Sequence, residues 1–117
     1  MPHEARKRDA AAIRDMLSAM NQADLHVVGL TEEIAGTSPQ PRDAALYRIL
    51  VLGEAANRVS PETQAKYPEV PWADVIGMRN IIIHGYEKVD WGTVWNAIQV
   101  EFPVLTPILK QILSEME

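Results

Sequence analysis

An all-α fold, an up-and-down bundle of four main helices plus one short connecting helix, is what this 117-residue sequence predicts. Three observations carry that expectation. Apolar residues recur at spacings of three and four, strictly alternating stretches are nearly absent, and proline and glycine stand where helices should start or stop. With 47% hydrophobic residues the chain suits a single helical domain over residues 1–117. A chain of this size buries roughly two-thirds of its surface on folding and needs no cross-links.

The first helix should run from about Ala5 to Leu30, with Ile13, Met16, Leu17, Met20, Val27 and Val28 on one stripe. Gly29, Gly36 and the stretch Thr37-Ser38-Pro39-Gln40-Pro41 then predict a break and a loop. A second helix, from about Arg42 to Val59, is apolar on most sides and should be central. Ser60-Pro61-Glu62 has the order N-cap, first-turn proline, first-turn acid, which starts a short helix to about Tyr67. Pro71-Trp72 opens the next one, which runs to about His84 with Gly85 as a left-handed stop. Asp90 caps a last helix from Trp91 to about Met116, in which Pro103 and Pro107 each remove a backbone donor and should produce kinks. Trp72, Trp91 and Trp95 are expected in the core.

Composition narrows the chemistry. The absence of cysteine excludes disulfides, thiol nucleophiles and cysteine-ligated metals. His3, His26 and His84 lack metal-ligand spacing, so no metal or other cofactor is expected. The glycines form no phosphate-cradling motif. No run of about 18 apolar residues exists to span a bilayer, and Met1 to Arg8 lack the apolar stretch of a secretory signal, so a cytoplasmic location is the expectation. The net charge of −5 opposes an extended nucleic-acid grip. Any RNA handling must use a small local site, or one assembled by oligomerisation.

One segment departs from bundle patterning: Gly77-Met78-Arg79-Asn80-Ile81-Ile82-Ile83-His84-Gly85-Tyr86. On a helix, Asn80 and His84 share a face one turn apart, and Arg79 lies about 140° from His84 in projection. Alone, His84 reads as a bonded core residue, Arg79 as the partner of a carboxylate such as Glu54 or Asp74, and Tyr86 as a loop anchor. Together they place a permanent cation, an amide, a near-neutral base and a phenol among three isoleucines. Burying such a set for stability alone would be costly. The chemistry open to it is metal-free cleavage of RNA. The imidazole removes the proton of a ribose 2′-OH, and the guanidinium fork holds the phosphate oxygens. A two-fold dimer would supply a second His and Arg.

With Arg79-Asn80, four residues between Arg79 and His84, then His84-Gly85-Tyr86, the segment resembles the HepT-like branch of the HEPN superfamily. Gly53-Glu54-Ala55-Ala56, Pro71-Trp72, Ile76-Gly77-Met78 and Val94-Trp95 stand in the family's order. The resemblance covers about residues 42 to 113, and the chain departs from the pattern at Tyr47-Arg48 and Pro107. It implies a homodimeric, HEPN-like ribonuclease toxin of a type VII-like toxin–antitoxin pair, with Arg79 and His84 catalytic at the dimer interface. Asn80 and Glu54 would support them. Its implied partners are RNA and an MntA-like nucleotidyltransferase antitoxin, which AMPylates Tyr86 and can join it in a larger complex. Two other readings compete: a non-catalytic HEPN module that binds nucleotide or substrate for a partner nucleotidyltransferase, and a structural dimerisation bundle. The negative charge favours the docking module, and the presence of both Arg79 and His84 favours the enzyme.

Overall fold

The computed structural model describes residues 2–117, whose regular elements are all helical, with no strand among the described residues. The elements are α1 (His3–Val27), α2 (Glu32–Thr37), α3 (Pro39–Arg58), α4 (Pro61–Lys66), α5 (Trp72–Gly85), a 3₁₀ turn (Tyr86–Lys88), α6 (Trp91–Asn96), a π-helical segment (Ala97–Glu101) and α7 (Phe102–Met116). The four main helices of the bundle are α1, α3, α5 and the α6–α7 rod. α1 packs between α3 and α7, and α3 between α1 and α5.

The core follows the predicted stripes. α1 buries Ile13, Met16, Met20 and Val27, spaced to keep one face inward. Ala12, Ala19 and Ala23 of α1 and Ala45, Ala55 and Ala56 of α3 are also buried, and such short side chains let two helix backbones approach closely. α3 is central as expected, burying Leu46, Ile49 and Leu52.

Several boundaries differ from the expectation. α1 ends at Val27 rather than Leu30, because Gly29 turns the chain with φ +81°, a conformation glycine adopts without a Cβ penalty. Val28, expected on the stripe, lies past that end and is exposed. The predicted loop contains α2: Thr31 caps it by accepting from the Ile34 N–H (3.2 Å), and Glu32 and Glu33 favour its positive end. α3 starts at Pro39 instead of Arg42, since prolines in a first helical turn lack only N–H groups that would have no intrahelical acceptor. The bundle therefore has two short helices, not one.

α4 is joined to α1 by a network the sequence did not announce. The buried Asp9 carboxylate accepts from the Ser60 N–H (2.9 Å), the Ser60 hydroxyl (2.6 Å) and the Thr63 hydroxyl (2.6 Å). Ser60 Oγ in turn accepts from the Thr63 N–H (3.2 Å), so the predicted N-cap is anchored as well as present.

Asp90 caps α6 as predicted, accepting from the Gly92 N–H (3.1 Å) and the Thr93 hydroxyl (2.9 Å). Just before Pro103 the last helix changes its winding. Ala97–Glu101 widens into a π-helical segment, and the Phe102 N–H reaches back five residues to the Ala97 carbonyl. A π-bulge is one of the few ways a helix absorbs a local misfit. Pro107 lies inside α7, one residue after Thr106, whose hydroxyl donates to the Phe102 carbonyl (2.8 Å). Of the tryptophans expected in the core, Trp72 is buried, whereas Trp91 and Trp95 are half-buried and meet with ring centroids 6.4 Å apart.

Candidate functional site

α5 is apolar nearly all round, yet it packs chiefly on one long neighbour, α3. The two run antiparallel: Gly53 of α3 lies against Arg79, and Asp43 near the start of α3 meets Tyr86 just beyond α5. Gly53 is what permits the approach. A Cβ there would stand 2.6 Å from the Arg79 Cβ, closer than real carbon contacts allow, and a tight 3.3 Å from the Val75 carbonyl oxygen. Of three isoleucines in a row, only Ile82 is buried; Ile81 and Ile83 are 60% and 52% exposed. The polar set of this segment is thus at the surface, not sealed in isoleucine as its sequence suggested.

Arg79 is half-buried and held from two sides. Its Nη1 lies 3.5 Å from Glu54 Oε2, and its Nε and Nη2 both donate to Asn80 Oδ1 at 3.3 and 3.2 Å. Arg79, Asn80 and Glu54 therefore come together as expected, with Glu54 from the neighbouring helix. Asp74, the other carboxylate considered for Arg79, makes no ion pair among the described residues. His84 is exposed and makes no side-chain hydrogen bond among the described residues. It is not the bonded core histidine that its apolar neighbours would suggest. Within one chain it does not engage Arg79.

Tyr86 joins a different group. Gly85 is not a left-handed stop: its φ is −147°, and α5 passes through it into the 3₁₀ turn. The turn carries Tyr86 back toward α3, where its hydroxyl donates to Asp43 Oδ1. The guanidinium of Arg42 stands 5.9 Å from the centres of both the Tyr86 and Trp91 rings, within the range of cation–π attraction. The hydrogen bond to Asp43 holds the Tyr86 phenol above its ordinary pKa, with burial and the Asp43 charge adding to it and Arg42 opposing. Sequence reasoning missed Arg42 and Asp43, since only the register of α3 against α5 places them beside Tyr86. Arg48, which departs from the family pattern, turns toward α1, where its Nε donates to His26 Nε2 (3.4 Å).

No group of three or more histidine, aspartate or glutamate side chains converges among the described residues, and no helix is long and apolar enough to cross a membrane. What the surface of α5 offers is an anchored guanidinium, an amide and an unengaged imidazole.

Comparison with known proteins places these features. "Putative RNase MJ0125" of Methanocaldococcus jannaschii is 29% identical over 116 residues, covering 95% of this chain and 97% of the relative. "Putative RNase TTE0752" of Caldanaerobacter subterraneus is 32% identical over 89 residues, covering 76% and 80%. "Probable ribonuclease HepT" of Thermococcus cleftensis is 29% identical over 62 residues, covering 53% and 56%. No solved structure matches. The family model described as Ribonuclease HepT-like matches residues 11–112. That span runs from the first core turns of α1 to the end of the buried stripe of α7 and takes in the whole α3–α5 pair, so the chain belongs to the HepT-like ribonuclease family.

Proposed function

We propose that this chain is a metal-independent ribonuclease of toxin type, active as a homodimer whose two α5 helices line one cleft. One observation supports this most directly. His84 is exposed and unengaged, next to exposed isoleucines, on a helix that also carries an anchored Arg79. Apolar exposure beside titratable groups fits an interface that also lines a site. Pairing across a two-fold axis doubles the set, giving two imidazoles and two guanidiniums. It also concentrates positive charge locally in an otherwise acidic protein.

In the proposed reaction one neutral His84 takes the proton of a ribose 2′-OH, and the oxygen attacks the adjacent phosphorus. Charge grows on the non-bridging oxygens, where the Arg79 fork matches it in a bidentate way. Asn80 orients that fork, and Glu54 limits its swing. The second His84, protonated, gives its proton to the departing 5′-oxygen. The products are a 2′,3′-cyclic phosphate and a free 5′-hydroxyl. Cleavage should persist in excess chelator and leave cyclic-phosphate ends; dependence on added metal, or 3′-hydroxyl ends, would reject the mechanism.

Inactivation is assigned to AMPylation of Tyr86 by a cognate MntA-like nucleotidyltransferase. Tyr86 is 41% exposed, and an adenylate there adds bulk and negative charge two residues from His84. The negative net charge and the Glu54–Arg79 ion pair favour a second reading, a non-catalytic module serving a nucleotidyltransferase. Purified protein that cuts no RNA while altering the partner's nucleotide affinity would select that reading.

A further inference from the structure

On the side of α5 away from Asn80, a groove of about 590 Å³ lies between α5 and the α6–α7 rod. Asn80 and the groove residue Met78 are about 160° apart in projection on α5, and none of Glu54, Arg79, Asn80 and His84 lines the groove. Both walls are helices, and its apolar surface includes Met78, Val100 and Val104; the two valines are 57% and 61% exposed. Its rim holds Glu69, Asp74 and Glu101, and no lysine or arginine lines it. An apolar trough between two helices is the shape that accepts a third helix through its apolar face.

Charge decides what kind. Three carboxylates without a cation repel RNA phosphates. A second copy seated here across a two-fold axis would set the same carboxylates against themselves, at a cost. A helix bearing lysine or arginine beside its apolar stripe satisfies both features. We infer that this groove docks a basic amphipathic helix of a partner protein, leaving the Arg79–His84 face uncovered. The inference stands apart from the ribonuclease reading, because no residue is shared between the two surfaces.

The test uses the full chain with labelled methionine and valine methyl groups. A synthetic helical peptide of leucine and lysine is titrated in, alongside a twin with glutamate in place of lysine. Saturable shifts at Met78, Val100 and Val104 with the lysine peptide, weakening as salt rises, are expected. Asp74→Lys combined with Glu101→Lys should weaken the lysine peptide by about tenfold or more and confer binding of the glutamate peptide. Both positions are exposed, so circular dichroism should show the variant folded; Val104→Asp gives an independent loss of binding. Shifts that map to other surfaces, or a charge swap that leaves peptide preference unchanged, would overturn the proposal. So would Val104 shifts that follow protein concentration alone, which would make a second copy the occupant.

Discussion

Two polar clusters in this molecule stand in opposite surroundings. At the junction of α1 and α4, Asp9 is 2% exposed and receives three donors from Ser60 and Thr63. Every oxygen there works for the fold, because an unpaired carboxylate in that position would be strongly destabilising. On α5 and its 3₁₀ extension, Arg79, Asn80, His84 and Tyr86 lie at or near the surface, and His84 makes no side-chain hydrogen bond or ion pair among the described residues. A saturated, buried polar group explains itself by stability; an exposed, unsaturated one on an apolar helix face calls for a ligand or a partner. The difference is plain in burial and in hydrogen bonding.

The largest effect that would sharpen this contrast is on cleavage. His84→Ala and Arg79→Ala should each lower the rate by roughly 10²–10⁴-fold while leaving the melting temperature nearly unchanged. A large fall in Tm instead would place these residues in the structural class and break the comparison. Asp9→Ala should behave in reverse, losing about 2–3 kcal/mol of stability, read as a Tm drop of roughly 5–15 °C, with cleavage retained at low temperature. Gly53→Ala tests the contact between α3 and α5: overpacking against Arg79 should cost about 1–3 kcal/mol and reduce cleavage together with stability. Tyr86→Phe should remain free of adenylate, by mass spectrometry, after incubation with the cognate nucleotidyltransferase and ATP, and should keep nearly full stability. The smallest change is Glu54→Gln. Glu54 is half exposed, so its pair with Arg79 contributes under about 1 kcal/mol; the variant should fold normally and bind RNA slightly more tightly at low salt.

Much of the fold was legible because it rests on short-range physics. The Ser60 and Asp90 caps, the apolar stripe of α1 and the central α3 all follow from spacings of four residues or fewer. α2 was missed because glycine, proline and serine around it signal a loop, whereas Thr31 capping and the tolerance of prolines in the first turn of α3 favour two helices in series. Gly85 was misread for a similar reason: glycine permits a left-handed stop without requiring one. The π-helical segment before Pro103 was not legible because no local residue pattern announces the five-residue reach of the Phe102 N–H to the Ala97 carbonyl.

Within the site, the sequence alone singled out Arg79, Asn80, His84 and Tyr86, and offered Glu54 or Asp74 as the partner of Arg79; the structure selects Glu54. It could not show that Ile81 and Ile83 face outward, that Gly53 clears room for Arg79, or that Asp43 receives the Tyr86 hydroxyl. Which residue types lie within a few positions of each other, and so which helices form and where they begin, is settled by local spacing and capping. Which face of α5 is covered, and what meets it from a helix well separated in the chain (43 residues for Asp43 and Tyr86), is settled by how closely two backbones can pack. That depends on the register of whole helices, set jointly by all their contacts, and no local window of sequence contains it.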